Sequence, residues 1–361
     1  MGRQYSTGAM PALLLGPVDA GSFGPDMDTI PEKLETVAMR IALLPMSLDD
    51  GTLRLAAQIG VSDIVTGRPV EDSGPVWDFL ALLRLRQRIE AAGLRLSVIE
   101  GIPVSDNIKL GLPGRDEDLN HFCDSLANMG AAGIPVLCYN FMTAFGWLRT
   151  SLADRGRGGA LVSSYRHNLM ANAPLTQYGE VSEERLWQNF EFFLKRVLPV
   201  AEQAGVKLAL HPDDPPISPI RGIARIMRSA AAFRRVIELA PSPNNGLTFC
   251  QGNFAAMRDV PDVPAAIREF GAREKVFFVH FRDVSNKVPD FDEVFHDEGP
   301  TDMLACMRAW REVGFAGPLR PDHAPTLEGE SNEHPGYMLL GKIYAVGYMR
   351  ALIQAASRTT N

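Results

Sequence analysis

Lys207-Leu-Ala-Leu-His-Pro-Asp-Asp-Pro-Pro216 is a short apolar run that stops at a histidine and passes into a proline-rich loop. Residues 206–210 are typical of a buried strand, and the closing prolines cannot continue a hydrogen-bonded ladder, so the chain must leave the sheet there. A histidine at the last position of an interior strand, followed by carboxylates on a rigid loop, is how a parallel barrel presents catalytic groups. Taken alone, the same pattern equally fits a core histidine before a turn.

Three later apolar runs also end in side chains that can bind a metal ion: Leu247-Thr-Phe-Cys250, Val276-Phe-Phe-Val-His280 and Leu319-Arg-Pro-Asp322-His323. Two imidazoles, a thiolate and a carboxylate form a mixed ligand set for a divalent transition ion such as Mn, Fe, Co or Zn. The predicted metal ligands are His211, Cys250, His280 and Asp322. The competing interpretation makes Cys250 a small buried hydrophobe and Asp322 a helix cap.

A strand-then-helix alternation repeats eight times from residue 39 onward. The strands are short and almost wholly apolar, as expected when both faces of a parallel sheet are buried. The predicted strands are 39–44, 63–66, 95–100, 134–139, 206–211, 246–250, 275–281 and 318–322, and the predicted helices are 51–59, 76–92, 116–130, 182–204, 221–240, 263–270, 301–313 and 338–356. Eight such units predict an α/β protein, a closed (β/α)8 TIM barrel. An open doubly wound sheet is the alternative. No Gly-x-Gly-x-x-Gly follows the first strand, which argues against dinucleotide binding.

Residues 1–38 are rich in residues that break regular structure and are predicted to form an N-terminal arm ahead of a single barrel domain over 39–361. An apolar arm favours a homo-oligomer. Two connections are unusually long, 140–181 after the fourth strand and 283–300 after the seventh. Their aromatic and arginine side chains predict ordered loops at the catalytic face of the barrel. Arg149 and His296 lie in these loops and are predicted to contact substrate.

The composition excludes several classes of protein. The chain has 361 residues, 46% of them hydrophobic, and a net charge of −7, which predicts a globular protein that does not bind nucleic acid. No apolar segment approaches the roughly 20 residues that a membrane span needs. The four cysteines form no CxxC pair, which indicates a reducing compartment. We therefore expect a cytoplasmic protein.

Groups suited to proton transfer lie beside the predicted ligands. His323 follows Asp322 directly, so in an extended backbone the two side chains point to opposite faces, and both reach the site only if the chain turns there. Tyr337 lies on a loop after the eighth strand, where the alternative is a surface tyrosine packed on the last helix. Arg282 and Arg320 would hold a carboxylate or a polyol through bidentate contacts.

A metal ion, an acid–base pair and arginines together suit chemistry next to a carbonyl or a carboxylate. One side chain removes an α-proton, another protonates a departing hydroxide, and the ion stabilises the charge on oxygen. Dehydration needs all of these parts. Aldose–ketose isomerisation and sugar epimerisation need nearly the same parts, so the residues leave the reaction open.

The chain resembles the mannonate dehydratase family, a group with a xylose-isomerase-like barrel, from about residue 39 to the C-terminus. The resemblance is carried by Leu137-Cys-Tyr-Asn-Phe-Met142, Trp147-Leu-Arg-Thr150, His211-Pro-Asp-Asp-Pro-Pro216, Leu247-Thr-Phe-Cys-Gln-Gly252, His280-Phe-Arg282, Phe295-His296, Thr301-Asp-Met303, Arg320-Pro-Asp-His323 and Pro335-Gly-Tyr337. It implies dehydration of D-mannonate, a sugar acid, to 2-keto-3-deoxygluconate, with Mn2+ or Fe2+ as the ion.

The resemblance also implies roles for particular residues. The family's metal ligands fall on His211, Cys250, His280 and Asp322. Its acid–base and substrate groups fall on Tyr337, His323, Arg282 and Asn140, with Asp322 sharing in proton transfer. Together with the long-loop and arginine arguments, the predicted substrate contacts are Asn140, Arg149, Arg320 and His296.

The chain departs from the family pattern at two places near the expected barrel mouth. It has Thr66-Gly-Arg-Pro69 where family members tend to carry a His-His pair, and Gly146 where they tend to carry Asp. These departures leave the substrate open to a different aldonic acid or keto-sugar. A carbohydrate-binding barrel without activity is the alternative that is not an enzyme, and the intact metal and acid–base positions speak against it.

Overall fold

The computed structural model describes residues 39–67 and 74–358, so the predicted N-terminal arm lies outside the described residues. In chain order the strands are β1 (Arg40–Leu43), β2 (Asp63–Thr66), β3 (Arg95–Glu100), β4 (Val136–Tyr139), β5 (Ser151–Arg155), β6 (Leu161–Arg166), β7 (Lys207–Leu210), β8 (Asn245–Cys250), β9 (Val276–Phe281), β10 (Asp290–Asp292) and β11 (Pro318–Pro321). Eight of them, in the order β1-β2-β3-β4-β7-β8-β9-β11, are parallel and close into a barrel when β11 pairs with β1. The predicted TIM barrel is confirmed.

The barrel interior is apolar along most of each strand and polar at the carboxyl ends of the strands. Alternate residues face inward and form an apolar cluster: Ala42, Val65, Val98, Val136, Cys138, Ala209 and Phe278. Continuing this alternation upward brings the last inward-facing positions to the mouth. There the strand register aligns Cys250 with His280 and His280 with Arg320, while Glu100 aligns with Cys138. The predicted ligands therefore reach one end of the barrel because neighbouring strands end together.

The helices form the outer layer. They are α1 (Asp50–Gln58), α2 (Phe79–Ala91), α3 (Asp106–Leu110), α4 (Arg115–Ala131), α5 (Glu183–Ala204), α6 (Ala230–Leu239), α7 (Gln251–Ala256), α8 (Val263–Gly271), α9 (Met303–Glu312) and α10 (Leu339–Ser357). The longest, α5, begins where the Ser182 side chain accepts the Arg185 N–H and ends at Gly205, whose φ of 69° suits a C-cap. Among the described residues, no helix is long and apolar enough to cross a membrane.

One predicted helix, 221–240, is wrong in its first half, because α6 begins only at Ala230. Ser229 caps this helix by accepting the Ala232 N–H at 3.1 Å. The preceding segment instead packs on the loop after β7, where the Met227 N–H and the Arg225 guanidinium both bond to Asp213. Those long-range contacts favour an irregular segment over another two turns of helix. The short helices α3 and α7 are absent from the prediction.

The two long loops meet in a second sheet. Strands β10, β6 and β5 pair antiparallel in that order, with Asp292 opposite Ser164 and Phe291 opposite Tyr165. The loops are ordered, as expected, but their strands were not predicted because β5 has a mostly exposed, polar sequence and β10 has only three residues. This sheet positions the segment after β10 against the barrel mouth.

Candidate active site

A cavity of about 200 Å³ opens at the carboxyl ends of the barrel strands. Its wall is formed by Glu100, Gly101, Cys138, Tyr139, Asn140, Met142, Trp147, His211, Asp214, His280, Arg320, Asp322, His323 and Tyr337. Most of the predicted functional residues are in this wall. Polar and ionisable groups predominate on the barrel side, while Met142 and Trp147 come from the loop between β4 and β5.

Three of the four predicted metal ligands form a tight cluster. One potential ligand atom from each of His211, Cys250 and His280 lies within 4.8 Å of the others. Asp322 borders this cluster, with its Oδ2 at 3.4 Å from His280 Nδ1 and 3.8 Å from Cys250 Sγ. All four donors sit at or just beyond strand ends, so the barrel rather than a flexible loop positions them.

The two histidines point one ring nitrogen each toward the other. The Nδ1 of His211 lies 2.7 Å from the Pro212 carbonyl, and the Nε2 of His280 lies 3.0 Å from a carboxylate oxygen of Glu100. Because these oxygens only accept, both of those nitrogens carry the proton. The remaining nitrogens, Nε2 of His211 and Nδ1 of His280, face each other at 3.2 Å. Burial and Arg320 act to lower the pKa of His280, but Glu100 and Asp322 outweigh them and raise it well above the ordinary value, so in the metal-free protein His280 Nδ1 also carries a proton. A cation bound by both nitrogens would take the place of that proton.

The charges around the cavity also fit a divalent ion. Burial raises the pKa of Cys250, but Arg282 and the neighbouring histidines outweigh it and lower the pKa to about 5, so the ionised thiolate is favoured. Among the buried charged groups in mutual contact, four carboxylates and the Cys250 thiolate face three guanidiniums and a protonated His280, whose pKa Glu100 and Asp322 raise. These groups are Glu100, Asp214, Glu293 and Asp322 with Arg149, Arg282 and Arg320. A divalent cation that displaced the second proton of His280 would balance the two negative charges that then remain.

Two buried arginines fix the Asp322 carboxylate. Arg320 donates to its Oδ1 at 2.8 Å and Arg282 donates to its Oδ2 at 3.0 Å. Burial acts to raise the pKa of Asp322, but the adjacent cations hold it well below the usual range. Arg320 also bonds Glu100 with both arms of its guanidinium, at 2.5 and 2.9 Å. Asp322 is therefore an ionised acceptor, and the alternative of a helix cap is wrong.

The chain turns at His323, as required for Asp322 and His323 both to face the site. His323 has a φ of 28°, which is unusual for a residue with a side chain, and it lines the cavity together with Asp322. The loop that carries Tyr337 closes onto this turn, since the Ala324 N–H donates to the Gly336 carbonyl at 2.9 Å. The Tyr337 hydroxyl lies 2.8 Å from His323 Nε2. Tyr337 is thus in the cavity wall, and burial raises its pKa, so the phenol keeps its proton.

A buried ionic network supports this pair from behind. The Nδ1 of His323 lies 2.6 Å from Glu293, which also bonds the Arg149 guanidinium. Arg149 binds both oxygens of Asp214 at 2.6 and 3.0 Å, and Arg282 binds one of them at 2.9 Å. Asp214, Glu293 and His323 approach one another as closely as metal ligands do, but these arginines already compensate both carboxylates. The network therefore does not need a second ion.

Some predicted substrate contacts are elsewhere. Arg149 is fully buried in the ionic network, and His296 is buried against Phe281, with ring centroids 6.2 Å apart. Neither lines the cavity. Asn140 and Arg320 do line it, and Asn140 is exposed to it while its Oδ1 accepts the Met142 N–H at 3.1 Å.

Three carboxylates of the site were absent from the predicted set. Glu100 is the last residue of β3 and follows an apolar run, so the rule that identified Cys250 and His280 would also have identified it. Asp214 belongs to the proline-rich loop after β7. Glu293 follows β10, and its sequence neighbourhood, with Asp290 and Asp292 nearby, carries no signal that separates it from solvent-exposed acids.

Comparison with known proteins points to one family. The profile of the D-mannonate dehydratase (UxuA) family matches residues 39–175 and 171–361. A mannonate dehydratase of Streptococcus equi subsp. zooepidemicus is 37% identical over 347 residues, which cover 87% of this chain and 93% of that protein. One of Thermotoga maritima is 34% identical over 349 residues, which cover 86% of this chain and 96% of that protein.

Solved structures agree. The crystal structure of mannonate dehydratase from Streptococcus suis serotype 2 matches with a TM-score of 0.81 and 35% identity, covering 88% of this chain and 93% of that one. D-psicose 3-epimerase from Clostridium cellulolyticum H10 matches with a TM-score of 0.57 and 13% identity, covering 88% of this chain and 96% of that one. The second likeness concerns the barrel alone.

Proposed function

Because this chain belongs to the D-mannonate dehydratase family, we propose that it is a metal-dependent hydro-lyase that converts D-mannonate to 2-keto-3-deoxygluconate and water. The proposal is supported by the cavity that His211, His280, Asp322 and the hydrogen-bonded His323–Tyr337 pair line, with Cys250 buried beside it and its Sγ within 4.8 Å of both histidines. The epimerase and isomerase alternative is not favoured, because the matching epimerases share the barrel at only 12–17% identity.

The residues proposed to hold the ion are His211, Cys250, His280 and Asp322. Their thiolate, imidazole and carboxylate donors suit a divalent transition metal, and we propose Mn2+ or Fe2+. When bound, such an ion acts as a Lewis acid that stabilises negative charge developing on substrate oxygens. Glu100 would keep His280 in the tautomer that can bind it.

The chain's own residues would manage the protons. Dehydration removes the hydrogen from C2 of the sugar acid as a proton and releases the C3 hydroxyl as water, and the resulting enol becomes the 2-keto group. The Tyr337 hydroxyl and His323 Nε2 share one hydrogen bond of 2.8 Å, so a proton received from C2 by one member can be passed to the other. Returning that proton to the leaving hydroxyl of the adjacent carbon would complete the cycle without outside water.

Substrate orientation is proposed to come from Asn140 and Arg320, both in the cavity wall. Arg320 is 1% exposed and already bonds Glu100 and Asp322, so its charge rather than a free donor would attract the sugar-acid carboxylate. Arg282 is buried beside Asp322 and would act by holding that carboxylate and lowering the pKa of Cys250. We also propose, from the cysteine pattern and the apolar N-terminal segment, a cytoplasmic homo-oligomer.

The decisive experiment is to load the purified protein with Mn2+ under reducing conditions, add D-mannonate, and follow formation of 2-keto-3-deoxygluconate. Turnover that a chelator abolishes and added metal restores is the expected result. D-gluconate, which differs only at C2, serves as the control substrate and should react far more slowly. If protein containing stoichiometric metal forms no 2-keto-3-deoxy product from D-mannonate, the proposed reaction is wrong.

A further inference from the structure

We propose that Glu293 is a positioning residue: it accepts a hydrogen bond from Nδ1 of His323 and thereby directs Nε2, the other ring nitrogen, at the Tyr337 hydroxyl. The inference deepens the proposed dehydration and rests on it. It assigns a task to a residue outside the barrel strands, delivered by the long loop after β9.

The geometry of the contact supports this role. A carboxylate oxygen of Glu293 lies 2.6 Å from His323 Nδ1, while the other ring nitrogen is 2.8 Å from the Tyr337 hydroxyl. An ionised carboxylate only accepts hydrogen bonds, so Nδ1 must donate. In the neutral ring Nε2 is then an acceptor and the Tyr337 hydroxyl is its donor. The three groups form one directed chain that ends at the cavity.

Glu293 is buried, ionised and hydrogen-bonded through both carboxylate oxygens. It is 3% exposed. Burial acts to raise its pKa, but Arg149 and His323 outweigh burial and hold the pKa well below the usual range. Its two oxygens contact Arg149, Ser163 and His323, with Arg282 Nη1 at 3.3 Å, and its own N–H donates to the Ser163 carbonyl at 2.9 Å. A carboxylate oriented by several hydrogen bonds can in turn orient the imidazole ring of His323.

The second sheet explains why this residue can reach the histidine. β10 pairs with β6, and the Ser163 contacts continue that pairing by one residue to Glu293. The sheet formed by the two long loops therefore places the Glu293 carboxylate at the barrel mouth, beside His323. A purely structural account would have Glu293 serve only to neutralise Arg149 and Arg282, and the experiment must separate that role from the positioning of His323.

The test uses Glu293→Gln, which keeps the shape but removes the charge, and Glu293→Ala, which removes the acceptor. The matched control is Asp297→Asn on the same loop, because Asp297 also pairs with an arginine, Arg157, at 3.0 Å but does not contact His323. For each variant kcat and KM for D-mannonate are measured per bound metal ion. We expect Glu293→Gln to lower kcat about 10²-fold or more with little change in KM, and Asp297→Asn to retain kcat.

A double-mutant cycle shows whether the effect passes through the histidine. In a His323→Asn background, Glu293→Gln should lower kcat by less than about threefold, because the group it positions is gone. A full loss in that background would mean that Glu293 acts on the fold alone and would overturn the proposal. So would a Glu293→Gln enzyme that retains kcat within about threefold of the parent while binding its metal.

A readout without substrate covers the case in which the proposed reaction is wrong. ¹⁵N-histidine NMR of the protein with a diamagnetic divalent ion reports which ring nitrogen of His323 carries hydrogen, with the resonance assigned by its loss in His323→Asn. The parent should show protonated Nδ1, and Glu293→Ala should show a mixture or the other tautomer. An unchanged tautomer in folded Glu293→Ala refutes the positioning role even if D-mannonate is not the substrate.

Discussion

Replacing Glu100 by glutamine tests how the proposed metal centre is oriented. Glu100 accepts three hydrogen bonds, two from Arg320 at 2.5 and 2.9 Å and one from His280 Nε2 at 3.0 Å. Its side chain is only 16% exposed. The amide in Glu100→Gln retains the shape and one accepting oxygen, but it removes the negative charge that faces Arg320. Because an amide can present either its oxygen or its NH2 group, it no longer requires His280 Nε2 to carry the proton.

Two magnitudes follow from these contacts. Groups that orient a metal-binding histidine change metal affinity by about 10- to 100-fold, which is about 1.4–2.7 kcal/mol of binding free energy. Removing one partner of a buried ion pair costs about 3–5 kcal/mol, and the retained amide oxygen and the remaining Asp322–Arg320 contact reduce this. We therefore expect the metal-free variant to lose about 1–3 kcal/mol of unfolding free energy.

The assay is metal binding by competition with a chelator of known affinity, combined with denaturant unfolding with and without metal. Glu90→Gln is the control, because Glu90 is exposed and pairs with Arg86 on the helix surface at 3.1 Å. This control should change unfolding free energy by less than about 0.5 kcal/mol and metal affinity not at all. If Glu100→Gln binds the ion as tightly as the parent, the reasoning that Glu100 orients His280 is refuted.

Three further outcomes are expected. Tyr337→Phe should lower kcat about 10²- to 10⁴-fold while stoichiometric metal is retained, and full turnover would remove its role in proton transfer. Gly252→Ala places a Cβ 2.5 Å from Arg282 Nη1 and should lower the free energy of unfolding by about 1–3 kcal/mol. The control, Gly347→Ala, lies in an open helical position and should raise it by about 0.5–1 kcal/mol. Equal effects of the two substitutions would contradict the packing argument. Burial lowers the pKa of Lys109 to about 8. Between pH 8 and the ordinary lysine pKa the unfolded chain therefore binds more protons than the folded one. The free energy of unfolding should rise with pH through this window by up to about 3 kcal/mol relative to Lys109→Met. Denaturant unfolding of both proteins across the window checks this, and parallel pH profiles would contradict it.

Much of the barrel was predictable because its strands can be recognised in the sequence as short apolar runs. Each predicted strand overlaps an observed barrel strand, and β3 runs from Arg95 to Glu100 as predicted. A strand buried on both faces needs a continuous apolar run, and such runs are visible in one dimension. The same logic located the ligands, since an apolar run can end in a polar side chain only where the sheet meets solvent or a site.

The supporting network was not predictable in this way. Arg149 pairs with residues 65 and 144 positions away, Asp214 and Glu293, and nothing local distinguishes it from an arginine that binds substrate. Asp214 lies in an irregular loop, and Glu293 follows β10, a strand of only three residues that has no periodic apolar signal. The β6–β10 pairing exists because two distant loops meet, and that pairing decides where Glu293 lies.

Sequence alone therefore determined the closed barrel, the family resemblance and the metal-capable strand ends, because burial on both faces of a sheet constrains each residue locally. Tertiary structure alone decided that His323 turns with a φ of 28° to face the cavity beside Asp322, that Tyr337 reaches it, and that Glu293 supports it. These features depend on distances between segments far apart in the chain. Hydrogen bonds and ion pairs of that kind form only after the barrel and its loops have brought the partners together.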